Sequence, residues 1–158
     1  MPETAKIGAR PLETNEILRL LLESSERINS TLDLDELMVR IAEVVKRAVD
    51  YELFAILLLN EKAQELRVRF SIGHPDEIVR DLRIKVGEGI VGRAAETRRS
   101  VRVSDVRQEP AYIPSLPSIR SELAVPLIAK NRVVGVVDLE APWPDFFTDS
   151  GGPHCRGD

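Results

Sequence analysis

The sequence predicts an α+β fold, an antiparallel sheet with helices packed against it. Three patterns point there. Apolar residues recur at helical spacing through two segments between Leu12 and Val49, the chain then alternates apolar and polar residues in short runs, and two polar breaks have hairpin length.

The elements follow in chain order. Residues 1–11 hold two prolines, a glycine and mixed charge without periodicity, which reads as a tail. Ile17, Leu20, Leu21 and Ile28 fall near helical spacing among Glu13, Glu16, Glu23 and Glu26, an amphipathic helix with an acidic face that covers a core or pairs with a second copy. Asp33 stands where a cap would open the next helix, Glu36 can reach back to it, and Leu32 with Leu37 suits a hydrophobic staple. Leu34, Leu37, Met38, Ile41, Val44, Val45 and Ala48 then form one apolar stripe.

Residues 53–59 are apolar on both alternating faces, as in a central strand covered on two sides. After the polar 60–64 break, Leu66, Val68, Phe70 and Ile72 alternate with Arg67, Arg69 and Ser71, a hairpin partner with one wet face. Gly73, His74 and Pro75 end it, 76–81 make a helical turn or two, and Leu82, Ile84 and Val86 alternate as a third strand. A glycine-rich turn leads into a short helix over 87–97, and 100–103 form a short strand. Pro110, Pro114 and Pro117 keep 104–118 irregular, a loop of the length that lids and binding loops have. Lys130 and Asn131 separate 123–128 from 133–139 as a two-residue hairpin.

A chain of 158 residues is the size of one domain with a genuine core. Its 22 Lys and Arg against 26 Asp and Glu leave a formal charge of −4, which argues against a dedicated nucleic-acid surface. Residues 67–107 are locally basic, with ten Arg and Lys against six Asp and Glu. At 4% aromatic content, a solvated face or a protein-docking surface fits them better than base stacking. One cysteine, Cys155 near the end, excludes a disulfide framework and Cys-based zinc sites and suits a reducing compartment. The longest apolar run, 53–59, falls far short of the roughly 18 residues of a membrane span. Residues 1–10 carry no apolar stretch of a secretory signal, so no membrane is expected and the cytoplasm is the expected location.

Gly87-Glu-Gly-Ile-Val-Gly92 fits G-x-G-x-x-G, with Asp105 18 residues after Gly87. A dinucleotide site needs a first strand buried on both faces and further βαβ units, but 82–86 alternates with Arg83 and Lys85. The glycines are therefore expected to serve a tight turn and close helix packing, with the amides at the helix start open to an anionic ligand group. His74 and His154 have no companion at metal spacing or beside a reactive Ser motif, so neither a metal site nor catalytic residues are expected, and His74 reads as a loop histidine. Asp138, placed by ideal hairpin spacing on the face of Val134, Val136, Leu123 and Val125, reads as a strand end reaching solvent, with a ligand or Arg120 as the alternative contacts. Arg156-Gly157-Asp158 spells an adhesion tripeptide, here taken as chance.

Together these segments resemble a GAF domain, the module of cyclic-nucleotide phosphodiesterases, phytochromes, histidine kinases and bacterial transcription regulators. The resemblance spans about residues 14–149. It is carried by the helix and strand of 34–59, Val86-Gly-Glu-Gly-Ile-Val-Gly-Arg-Ala-Ala95, Val101-Arg-Val-Ser-Asp-Val106 with Pro110-Ala-Tyr112, Ser121-Glu-Leu-Ala-Val-Pro-Leu127 and Val133-Val-Gly-Val-Val-Asp-Leu139. It implies about six antiparallel strands, terminal helices on one face, and a ligand pocket between the other face, the glycine-initiated helix and the proline-rich loop. The expected domain runs over 12–149, and 150–158 replace the usual terminal helix with an irregular tail.

The resemblance also sets functional expectations. Bilin-binding members attach the chromophore through a pocket cysteine, so no covalent bilin is expected. Free methionine sulfoxide reductases of this type need reactive cysteines, so no enzyme activity is expected. Cyclic nucleotide or another small ligand is open, and haem would have only His74 as an axial ligand within the domain. The expected function is a noncatalytic sensory domain that binds a small molecule and relays it through the helices of a homodimer to an output domain such as a kinase, phosphatase, cyclase or transcription regulator. A ligand-free dimerisation scaffold is the alternative. Phe70, Ile84, Ile90, Val91, Ala94, Val103, Asp105, Tyr112 and Ile113 are the expected ligand contacts, from their predicted faces and the family pocket.

Overall fold

The computed structural model describes residues 31–147. The helix expected within 12–28 and the tails 1–11 and 150–158 lie outside the described residues. Helix α1 (Thr31–Ala48) presents Met38, Ile41, Ala42 and Val45 as a buried stripe, with Lys46 and Arg47 in its last turn opposing the negative end of the helix dipole. Its backbone is already helical at Thr31, so Asp33 sits inside the helix and does not open it. The Tyr51 hydroxyl donates to the Ala42 carbonyl at 3.0 Å and fixes the chain's exit from the helix into the sheet.

The sheet comprises β1 (Leu53–Asn60), β2 (Glu65–Ile72), β3 (Arg83–Lys85), β4 (Val101–Val103), β5 (Ser121–Ala129) and β6 (Arg132–Ala141). They lie in the order β3-β2-β1-β6-β5-β4, and every neighbouring pair is antiparallel. Two short helices, α2 (Asp76–Asp81) and α3 (Gly89–Thr97), flank β3, and a 3-10 turn (Val106–Gln108) follows β4. Lys130 and Asn131 both have positive φ, 50° and 65°, the backbone that a two-residue type I′ hairpin turn requires.

The apolar run of β1 feeds two cores, one on each face of the sheet. Phe54 and Ile56 join the α1 stripe with Tyr51, Val137, Leu139, Phe146 and Phe147. Leu53, Ala55 and Leu57 face the opposite way, toward Ile84, Ile90, Val91, Ala94 and Ile119. The covered central strand is thus present as the sequence predicts.

Two irregularities in register change which side chains share a face. Between β1 and β2 the pairing passes from Ile56↔Phe70 to Leu57↔Val68, leaving Arg69 as an extra residue. Between β5 and β6 it passes from Leu127↔Gly135 to Ile128↔Val133, leaving Val134 extra. Each bulge inverts the alternation beyond it.

The glycine motif has a local explanation. Gly89 has φ +63°, and a β-carbon there would stand 2.8 Å from Ile113 Cδ1, so this glycine both turns the chain and seats the proline-rich loop. A β-carbon on Gly92 would stand 2.3 Å from the Lys85 carbonyl oxygen, which shows how closely α3 packs on the end of β3. Among the described residues, no helix is long and apolar enough to cross a membrane.

Candidate functional site

The second face of the sheet carries an acidic cluster. Glu122 on β5 stands opposite Glu140 on β6, and Ala124 stands opposite Asp138. On the other side of β6, Leu53 pairs with Glu140 and Ala55 with Asp138. All three carboxyl groups therefore point into the core that contains Leu53, Ala55 and Ala124. Glu122 is 5% exposed, Asp138 6% and Glu140 3%. Like charges directly opposite on a sheet repel, and buried carboxylates without cations cost more still, so neighbours and protons must compensate.

Part of the compensation comes from two loops. His74, in the loop after β2, brings Nε2 to 3.3 Å from Glu140 Oε2, its side chain 8% exposed. From the proline-rich loop, Ser115 Oγ donates to Glu140 Oε1 at 2.8 Å and the Tyr112 hydroxyl donates to the same oxygen at 3.3 Å. Arg93 on α3 holds the start of that loop through Glu109 at 3.1 Å. Burial, then the Glu140 charge, pushes the Tyr112 hydroxyl up to about 12, so it remains a donor.

The rest comes from protons. Burial, then repulsion from Asp138, raises the Glu122 carboxyl well above the usual range. Burial, then the Glu140 charge, raises Asp138 to about 8. A side-chain hydrogen bond joins Glu122 to Asp138, and a carboxyl pair can share one only while it keeps a proton. Near neutral pH this floor therefore offers both negative charge and an acidic proton. A cavity of about 40 Å³ lies over it, walled by Ile84, Ile90, Val91 and Ile113 and by His74 and the three carboxyl groups.

The expected contacts separate accordingly. Ile84, Ile90, Val91 and Ile113 line this cavity. Tyr112 lines a neighbouring space of about 250 Å³ under the loop and reaches the cluster through its hydroxyl. Ala94 and Val103 are buried in the same core but do not wall the cavity. Asp105 is occupied elsewhere, accepting from Arg120 at 2.9 and 3.3 Å and from the Arg107 amide at 3.1 Å. Phe70 is displaced to the opposite face, edge-on to Phe54 in the α1 core, because the bulge at Arg69 inverts its side of β2.

Three further expectations are corrected. Asp138 does not reach solvent, and its neighbours across β5 are Ala124 and Glu122, not Leu123 and Val125, because the bulge at Val134 shifts the register by one. Arg120 is bound to Asp105 and leaves the cluster alone. His74 is a loop histidine but a buried one, and with Asp138 and Glu140 it forms a set of possible metal donors within 4.8 Å of one another, drawn from segments 64 residues apart.

Comparison with known proteins places this geometry in a family. The family model described as GAF domain matches residues 31–150. A free methionine-R-sulfoxide reductase of Escherichia coli is 34% identical over 75 residues, 48% of this chain and 46% of that protein. A Nif-specific regulatory protein of Herbaspirillum seropedicae is 26% identical over 124 residues, 74% of this chain and 23% of that protein. The chain thus spans less than half the length of either curated relative. The solved structure of a Neisseria meningitidis free methionine-R-sulfoxide reductase in complex with its substrate superposes with a TM-score of 0.68 at 24% identity, covering 88% of this chain and 79% of that one, which shows the shared fold.

These findings overturn the expectation of a noncatalytic sensor and of no enzyme activity. Relatives of this chain include enzymes as well as a regulatory protein, so the resemblance does not carry a noncatalytic assignment. The family model matches residues 31–150, most of the chain: the chain belongs to the GAF domain family.

Proposed function

We propose that this domain binds a small free amino-acid sulfoxide of the methionine type and activates it for reduction by thiols. The observation that carries this reading is the buried trio of Glu122, Asp138 and Glu140, which combines negative charge for an ammonium group with a retained proton for a sulfoxide oxygen. The relatedness to a free methionine-R-sulfoxide reductase supports the choice of ligand.

The chemistry balances with two thiols. The Glu122–Asp138 pair donates its proton to the sulfoxide oxygen, which makes sulfur electrophilic, and a thiolate attacks it. A second thiol completes a disulfide, oxygen leaves as water, the sulfoxide becomes a sulfide, and a thiol proton restores the carboxyl pair. Cys155, which lies outside the described residues, and a small external thiol are the two sources of reducing groups. A thiol-dependent reaction suits the reducing cytoplasm. At about 40 Å³ the cavity has room for little more than one water or ion, so the sulfoxide enters as the 109–118 loop lifts from Glu140.

Calorimetric titration with methionine-R-sulfoxide, methionine-S-sulfoxide and methionine tests the reading, together with methionine release in dithiothreitol by the wild type, Asp138→Asn and Cys155→Ser. The expected result is preferential binding of the R epimer, with release reduced at least tenfold in D138N. Equal binding of all three ligands, or none, would sink it. Release unchanged in C155S assigns both thiols to the external reductant.

A further inference from the structure

We propose that His74, Asp138 and Glu140, with Glu122 beside them, form a site for one divalent transition-metal cation of the manganese, iron or zinc type. This goes beyond the sulfoxide reading and does not depend on it.

Three independent observations converge on one spot. First, one donor atom from each of His74, Asp138 and Glu140 lies within 4.8 Å of the others. Ligands about 2.1 Å from a shared ion stand roughly 3 to 4 Å apart, so small side-chain rotations close the set around a metal. The His74 Nε2 to Glu140 Oε2 distance of 3.3 Å is already of that size.

Second, two buried polar atoms there have no hydrogen-bond partner, His74 Nδ1 and Asp138 Oδ1. Their side chains are more than nine-tenths buried, and both residues wall the cavity. An unsatisfied buried polar atom costs about 1–3 kcal/mol, and Asp138 Oδ1 in the cavity wall marks a missing partner, whereas an ion reaches only one nitrogen of the His74 ring. Third, the cavity has room for one ion, and its lining includes three carboxyl groups but neither Lys nor Arg.

The donor set narrows the ion. Carboxylate oxygens favour hard cations, but an imidazole nitrogen is a poor ligand for calcium or magnesium and a good one for manganese, iron and zinc. The lack of a thiolate among the donors disfavours copper(I). Glu122 completes the site from β5, where it can take a fourth position or hold Asp138 in place by hydrogen bonding.

The test uses the whole chain without a polyhistidine tag, stripped with chelator and titrated with manganese, zinc and cobalt(II) chloride in the absence of sulfoxide. One equivalent of metal is expected to bind, with a cobalt absorption band in the visible. His74→Ala and Asp138→Asn should each weaken binding about tenfold to a hundredfold, while Glu36→Gln on the exposed face of α1 leaves it unchanged. Circular dichroism confirms folding, and D138N guards against collapse because it replaces the buried carboxyl with an amide of the same size. No saturable uptake, or uptake indifferent to H74A and D138N, overturns the proposal. Sulfoxide binding is measured separately on metal-free protein, so its failure leaves the metal site standing and the reverse holds equally.

Discussion

Asp105 illustrates how a residue of suitable chemistry and position can be committed to structure. Its carboxylate binds the Arg120 guanidinium by two hydrogen bonds and caps the 3-10 turn through the Arg107 amide. The Arg120 hydrogen bond, followed by the Arg107 amide, holds its carboxyl below the usual carboxylate range. A group with a depressed folded value stabilises the fold above its unfolded value, and that contribution disappears as pH falls through the folded one. Asp105→Asn should therefore unfold at a lower temperature than wild type at pH 7, with the gap closing as pH falls below about 4. Thermal melts from pH 7 to 3 check this, and a gap independent of pH would show that the ion pair contributes nothing. Asp138 is the opposite case, a carboxyl raised by burial with one oxygen left unpartnered, and the proposed site is built around it.

At the scale of elements, α3 depends on close approach to the end of β3. Gly92→Ala would drive a methyl group to 2.3 Å from the Lys85 carbonyl, backbone against backbone with no flexible side chain to yield. The variant should lose about 1–3 kcal/mol, read as a lower urea midpoint at unchanged slope. An unchanged midpoint would mean that α3 shifts freely and that its glycine is incidental. The motif Gly87-Glu-Gly-Ile-Val-Gly92 thus reads correctly from sequence as turn and packing chemistry, and all six strands are legible in the alternation and the breaks. What alternation cannot supply is a one-residue bulge. Arg69 and Val134 each insert one, so Phe70 changes faces and Asp138 faces Ala124, and the acidic cluster remains hidden in a strand that reads as ordinary. His74 is hidden for another reason: it meets Asp138 and Glu140 only through the tertiary fold.

Taken whole, the molecule is a sheet between two cores of different make-up. The α1 side holds most of the aromatic packing, with Tyr51, Phe54, Phe70, Phe146 and Phe147 in contact. The opposite side is aliphatic apart from Tyr112 and interrupted by the acidic floor and its cavity. Because β1 contributes to both, its residues alternate between the two cores one by one. Ile56 and Ile84 test this division, being 1% and 4% exposed but on opposite faces. Ile56→Val and Ile84→Val should each cost about 0.5–1.5 kcal/mol in denaturant unfolding, since each removes one buried methyl group. Of these two variants only Ile84→Val should also change the affinity for the proposed sulfoxide, because Ile84 walls the cavity and Ile56 does not. Equal effects of both variants on affinity, at matched losses of stability, would show that the two cores act as one elastic body and that the sheet does not insulate the site from the helix face.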